Sequence, residues 1–208
     1  MIAENRGQKS IIDIFEPDSS PYNVGYSKWT VRWWNWCLSQ PKFTNPVNDR
    51  KRTDGNASNN QIYPSVWFLA GTTDGYAERE CIVPTVRAIL CPIINFEIST
   101  AEEPDLNTDE ALLYRSKDEI DKIENLNVII DGTRLPDLKK FRVQSGVFDV
   151  DLPQDNIWGV KPGKTRAAAD GYWIFLKPLP KGIHTLQFNG SCLAGTINIG
   201  TNYYLEVR

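Results

Sequence analysis

The chain has 208 residues, of which 41% are hydrophobic and 24% charged, a balance that describes a globular domain and excludes a disordered one. A formal net charge of −3 removes nucleic acid held by charge from the expected partners. No apolar stretch reaches the roughly 18 residues needed to cross a bilayer, so a soluble domain with no membrane span is expected.

Residues 1–26 read as an irregular arm with one apolar patch, Ile11, Ile12, Ile14 and Phe15, and residues 27–208 as a single domain. The patch is short and interrupted by Asp13, unlike a signal-peptide core, so a cytoplasmic location is expected. A secreted mature form restarted at an added Met has the same appearance.

Four of the seven tryptophans fall within Ser27–Leu38. At about 100° per residue, Trp29, Trp33 and Trp36 share one helix face with Cys37 beside it, and Trp34, Leu38 and Val31 cover the other side. Lys28, Arg32 and Asn35 leave only a narrow polar stripe, so the predicted helix is buried on most sides against a sheet. Ser27 is its expected cap, and it stops before Pro41. Rings lining a ligand cleft are the alternative reading of the same cluster.

From Pro41 to Gln61 the sequence is polar and turn-rich. Arg50, Lys51 and Arg52 form the one tight basic run, and the flanking Asp49 and Asp54 favour a solvated loop over a phosphate site. Asn48, Asp49, Asp54, Asn56 and Asn60 are rich in oxygen but do not form a regular calcium loop, so no metal is expected. Asn56-Ala57-Ser58 and Asn189-Gly190-Ser191 fit the glycosylation pattern, which has meaning only in a secreted protein.

Strand signals begin with the short run from Val66 and continue through Cys81–Pro84. In the long run to Ser99, Leu90, Pro92, Ile94, Phe96 and Ile98 are predicted on one face, and Arg87, Ile89, Cys91, Ile93, Asn95 and Glu97 on the other. The second face turns polar at Asn95, where the strand is expected to open onto solvent or a cleft. Residues from about 100 to 126 form an acidic insert of one or two short surface helices, with Asn107 and Glu110 resembling a capping box. A hairpin turn at Asp131-Gly132 follows, then strands at FRVQS, VFDVDL, YWIFLKPL, IHTLQF and NYYLEVR. Turn signals every 8–12 residues or so, without βαβ alternation, predict a mainly β fold. Its expected form is an antiparallel, jelly-roll-like β-sandwich with one Trp-rich helix and the helical insert.

Cys37, Cys81, Cys91 and Cys192 are scattered without zinc-type spacing; Cys37 and Cys91 read as small buried hydrophobes, and the pairing state of all four stays open. The stretch Trp158–Thr165 ends in Gly-Lys-Thr, but Trp occupies the place of the first glycine of a phosphate loop, so no nucleotide cofactor is expected. His184 shares a face with Leu186 and Phe188 and reads as a buried structural histidine.

Carboxylates are the only acid–base material in quantity. Glu97 ends an apolar strand, where partial burial raises its proton affinity; Asp149 and Asp151 share a strand face, and Asp170 precedes Tyr172 and Trp173. Three roles are open. The first is a non-enzymatic module for a carbohydrate or other small polar ligand, with Trp158, Trp173 and Trp67 as stacking rings and Asn95, Glu97 and Asp170 as polar partners. The second is a hydrolase-like enzyme using Glu97 with another carboxylate or His184. The third is an assembly subunit forming homo-oligomers through residues 1–26 or the acidic insert.

Three stretches, KWTVRWWNWCLSQP, the segment from Pro64 to Ser99 and DGYWIFLKPLPKGIHTLQFNG, together resemble a group of uncharacterised prokaryotic proteins, many of them secreted. The resemblance implies no activity. It does imply a disulfide in secreted members, between a cysteine at the place of Ala57 and one at Cys81, that this chain has lost.

Overall fold

The computed structural model describes residues 12–49, 60–192 and 197–208. Among these residues the fold is mainly β, with two sheets and two α-helices. The first sheet has the order β1 (Val66–Phe68), β3 (Ala88–Ser99), β7 (Gly163–Leu176), β6 (Phe148–Leu152). The second has the order β2 (Tyr76–Val83), β9 (Asn198–Val207), β8 (Gly182–Cys192), β4 (Ile123–Ile130), β5 (Thr133–Arg134). Most pairings are antiparallel, but β1 runs parallel to β3 and β2 parallel to β9.

The two central strands of the first sheet, β3 and β7, are apolar over long continuous runs, which is the pattern of a sheet covered on both faces. Alternate residues go to two cores. Leu90, Trp173, Phe175, Ala167 and Ala169 meet the tryptophans of α1 (Tyr26–Leu38). Ile89, Cys91, Ile174 and Leu176 meet Cys81, Val128, Leu186, Phe188, Tyr203 and Leu205 of the second sheet. The order of layers is therefore helix, sheet, sheet.

The helix is buried on both flanks, as its composition demands: Trp29, Trp33, Trp34, Trp36, Cys37 and Leu38 are all in the core. Its rings meet edge to face, Trp33 against Trp173 at 5.3 Å and Trp29 against Phe175 at 5.8 Å, the geometry that aromatic quadrupoles prefer. Ser27 is not the cap. The carbonyl of Gly25 accepts the N–H groups of Lys28 and Trp29, which puts Ser27 inside the first turn. At the other end the Asn45 amide donates to the carbonyls of Cys37 and Gln40 and ties down the exit.

Two segments expected at the periphery are integrated. Ile14 bridges Leu176, the Phe15 N–H donates to the Phe175 carbonyl, and the Phe15 ring packs on Phe175, so the described part of the arm lies along β7. In the acidic insert, α2 (Asp109–Asp121) buries Leu112 against Ile98 and Ala168. Its cap is Thr108, whose hydroxyl accepts from Ala111 N–H, one residue beyond the expected Asn107. The expected strand at FRVQS is absent; a 3₁₀ turn, Leu138–Phe141, leads instead into irregular backbone with a single bridge from Arg142 to Tyr172. The hairpin turn is present, with Asp131 and Gly132 both at positive φ, as a two-residue turn of this kind requires.

A buried guanidinium locks the layers. Arg79 on β2 is 1% exposed and donates to the carbonyls of Asp49, Val47, Ala70 and Gly71 and to the Tyr203 hydroxyl. Tyr203 in turn donates to the Ala70 carbonyl, and burial pushes its hydroxyl up to about 12. Arg79→Met removes the donor and strands these buried acceptors, and is expected to cost about 3–5 kcal/mol in denaturant titration. Loss of less than about 1 kcal/mol refutes this role.

Candidate functional site

A cavity of about 320 Å³ lies between α1, the distal half of β3 and the second sheet, at the lower end of the size range for small-molecule sites. Its origin is the shortness of β1. That strand pairs β3 only at Ala88, Ile89 and Leu90, and Leu69 N–H adds one bond to the Leu90 carbonyl, so among the described residues no strand lies beside the edge of β3 beyond Leu90. Residues from both faces of β3, Asn95 and Glu97 from one and Ile94 and Phe96 from the other, line the cavity, which wraps around this edge. Pro92 fits such an edge because it has no N–H to leave unpaired.

The pairing of β3 with β7 slips between Pro92 and Ile94, a bulge that reverses the alternation. Ile94 therefore sits opposite Tyr172 in the inter-sheet core, while Asn95 lies opposite Gly171 and Glu97 opposite Ala169 on the helix side. This corrects the strict period of two expected from sequence: Asn95 and Glu97 share a face with Leu90, not with Ile89 and Cys91. Gly171 is required here, since a Cβ at that position meets Asn95 Cβ at 2.5 Å.

Glu97 is 3% exposed and accepts from the indole N–H of Trp158 through Oε2 at 3.2 Å, while its Oε1 has no hydrogen-bond partner. Burial, reinforced by the neighbouring Glu102, raises its proton affinity well above the ordinary carboxyl range, and the Trp158 bond only partly opposes this. Glu102 is also raised, chiefly by burial, although Ser99 donates to it from both backbone N–H and hydroxyl. Two more polar atoms on lining residues lack partners: Asn95 Nδ2 and the indole nitrogen of Trp34, a residue 4% exposed. The rest of the wall is largely apolar, including Trp33, Val47, Ile120, Ile123, Ile157, Ile197 and Ile199. The Cys37 thiol also borders the cavity; burial, with Glu97 nearby, holds it firmly protonated.

The cavity thus brings together Trp158, Asn95 and Glu97 of the residues expected from sequence. It does not include the others. Trp173 is packed on Trp33 in the helix-side core, and Trp67 lies in the inter-sheet core with Arg87 above its ring at 5.2 Å. Asp170 sits opposite Phe96, on the other face of the sheet from Glu97, and is held by the Arg142 guanidinium through both oxygens. His184 has Nδ1 on the Asp131 carboxylate and Nε2 on the Pro180 carbonyl, which leaves neither nitrogen for a substrate, and it is not part of the cavity wall. Cys37 and Cys91 are free and buried. The basic run at Arg50–Arg52, with Asp54, Asn56 and Ala57, falls outside the described residues. Among the described residues no cluster of metal ligands occurs, and no helix is long and apolar enough to cross a membrane.

Sequence reasoning missed Glu102 and Glu119 as wall residues; Trp33 and Trp34, also in the wall, belong to the helix cluster for which a cleft lining was the alternative reading. The signal that was available is Pro92 inside an apolar strand, which marks an edge or a bulge. No family model, curated protein or solved structure matches the chain.

Two outcomes are expected. Gly171→Ala forces Asn95 aside and lowers stability by about 1–3 kcal/mol in a denaturant melt; an unchanged midpoint contradicts the close approach. Because the folded state holds the Glu97 proton more tightly than the unfolded chain, its contribution is complete below about pH 4.5 and is lost as pH rises through the raised value. Glu97→Gln should therefore melt higher than the parent at pH ~8, by about 2–4 °C for each kcal/mol relieved. The gap should close near pH ~5, and a gap that widens toward acid rejects the assignment.

Proposed function

We propose that this protein is a binding module for a small ligand held in the cavity beside β3. The observation that carries the reading is the coincidence, on one cavity wall, of three unpartnered polar atoms, Trp34 Nε1, Asn95 Nδ2 and Glu97 Oε1. Buried polar atoms are almost always satisfied, and a ligand supplying one donor and one or two acceptors satisfies these. The apolar remainder of the wall supports a ligand with a mostly apolar body and one polar end, more than a free sugar with hydroxyls on every side. Two sheets sharing one core support a jelly-roll-like sandwich as the scaffold.

A second reading is favoured by one observation. Glu97 and Glu102 are adjacent carboxyls, both held toward the protonated form inside a cavity, the condition for a general acid. It is ranked below binding because Glu97 Oε2 is already occupied by Trp158. The assembly reading loses support, since α2 and the described part of the arm are packed into the domain itself.

Intrinsic tryptophan fluorescence tests the binding reading, because Trp33, Trp34 and Trp158 all border the cavity. In a screen of sugars, nucleotides, divalent ions and small amphiphiles, a saturable shift is expected for amphiphiles. Trp158→Ala should weaken it about tenfold or more. Unchanged affinity in that variant for every ligand that binds the parent rejects the site.

A further inference from the structure

The charge on the cavity wall narrows the ligand further, on the footing of the binding reading above. Among the described residues the wall contains three carboxyl side chains, Glu97, Glu102 and Glu119, and no lysine, arginine or histidine. Glu119 is already neutralised by Arg115 at 2.5 Å and Lys122 at 3.0 Å. Glu97 and Glu102 have no cation in hydrogen-bond contact, although the Arg115 charge acts on Glu102 through space: their hydrogen bonds come from Trp158 and Ser99, which are neutral. An anionic head group entering here finds no cation on the wall to balance it and opposes ionisation of both carboxyls. A positive one favours the ionised form of both carboxyls and meets the free Oε1 of the nearly fully buried Glu97.

The same wall carries four aromatic residues, Trp33, Trp34, Trp158 and Phe96. Aromatic faces attract a cation through their quadrupole, and indole does so best. Phe96 already has one cationic neighbour, with the Arg115 guanidinium 5.2 Å from its ring. Desolvation decides which cation. A metal ion or a bare ammonium loses strong hydration on entering a largely apolar cavity, whereas an alkylated ammonium is weakly hydrated and brings its own apolar surface.

We propose that the cavity binds an organic cation, an alkylated ammonium on a short apolar body, with the ammonium set between Glu97, Glu102 and the indole rings and the body against Ile94, Ile120 and Ile199.

The test compares three head groups on one alkyl chain: n-hexyltrimethylammonium, n-hexanol and hexanoate, each titrated against the full chain by tryptophan fluorescence and calorimetry. The cation is expected to bind saturably and about tenfold or more tighter than the alcohol, with hexanoate weakest. Glu97→Gln, nearly the same in shape, should cost the cation about tenfold more than it costs the alcohol. Glu102→Gln, at a less buried position, provides the same comparison if the first variant folds poorly. Alcohol or carboxylate binding as tightly as the cation overturns the cationic class while leaving a small-molecule site in place. Cation affinity unchanged in both variants overturns it too. If the cation gives no saturable response, the class is rejected outright, and the wider ligand screen alone then decides the binding reading.

Discussion

Neither face of the sheet built on β3 and β7 can meet water. Both strands are buried at nearly every position, so each face needs a cover, and the two covers differ in kind. On one side the second sheet supplies mostly aliphatic residues, with Phe188 and Tyr203. On the other, a helix of 13 residues supplies most of the cover, with Val47, Phe15 and Tyr63 beside it, which explains why so much of its surface is indole. Large rings let one helix bury an area that would otherwise need two. Arg79 then fixes the spacing of the layers by gathering carbonyls from the segments that follow α1 and β1 onto one guanidinium of the second sheet.

The cavity follows from where the cover fails. β1 stops at Phe68, so β3 runs on past its neighbour with an open edge, and the bulge after Pro92 turns Asn95 and Glu97 toward the tryptophan layer. Close approach elsewhere holds this shape. Gly171 leaves room for Asn95, and Gly190 on β8 leaves room for Ile94, whose Cγ2 lies 2.7 Å from where a Cβ would stand. A polar cluster is thereby held on rigid strands inside an apolar shell, with Trp158 reaching in from the β6–β7 connection to fix one oxygen of Glu97. Rigid placement of a few polar groups in an apolar wall is the usual construction of a small-molecule site.

The sequence pattern made the tryptophan helix legible because an apolar circumference has only one comfortable place, the interior. It also made the alternating β6 and β9 legible, along with the Asp131-Gly132 turn. The faces of β3 were not legible beyond Pro92, because a bulge adds one residue that no hydrophobic period announces. Asp170 illustrates the same limit. Next to aromatic residues it reads as a ligand contact, yet its partner, Arg142, comes from an irregular segment whose position only the tertiary fold determines. Of the expected site, Trp158, Asn95 and Glu97 converge; Glu102 was hidden by an insert whose many acidic residues look alike in sequence.

The place of β9 bears on how the chain reaches this state. It lies between β2 and β8, pairing with both, so Tyr76 finds its partner in Gly200. Until residues 198–207 have left the ribosome, β2 has no strand to join and the second sheet is divided. The apolar underside of the first sheet then has only part of its cover. Folding of this domain is accordingly dominated by contacts distant in sequence, which makes it slow and leaves strand edges open until β9 is in place.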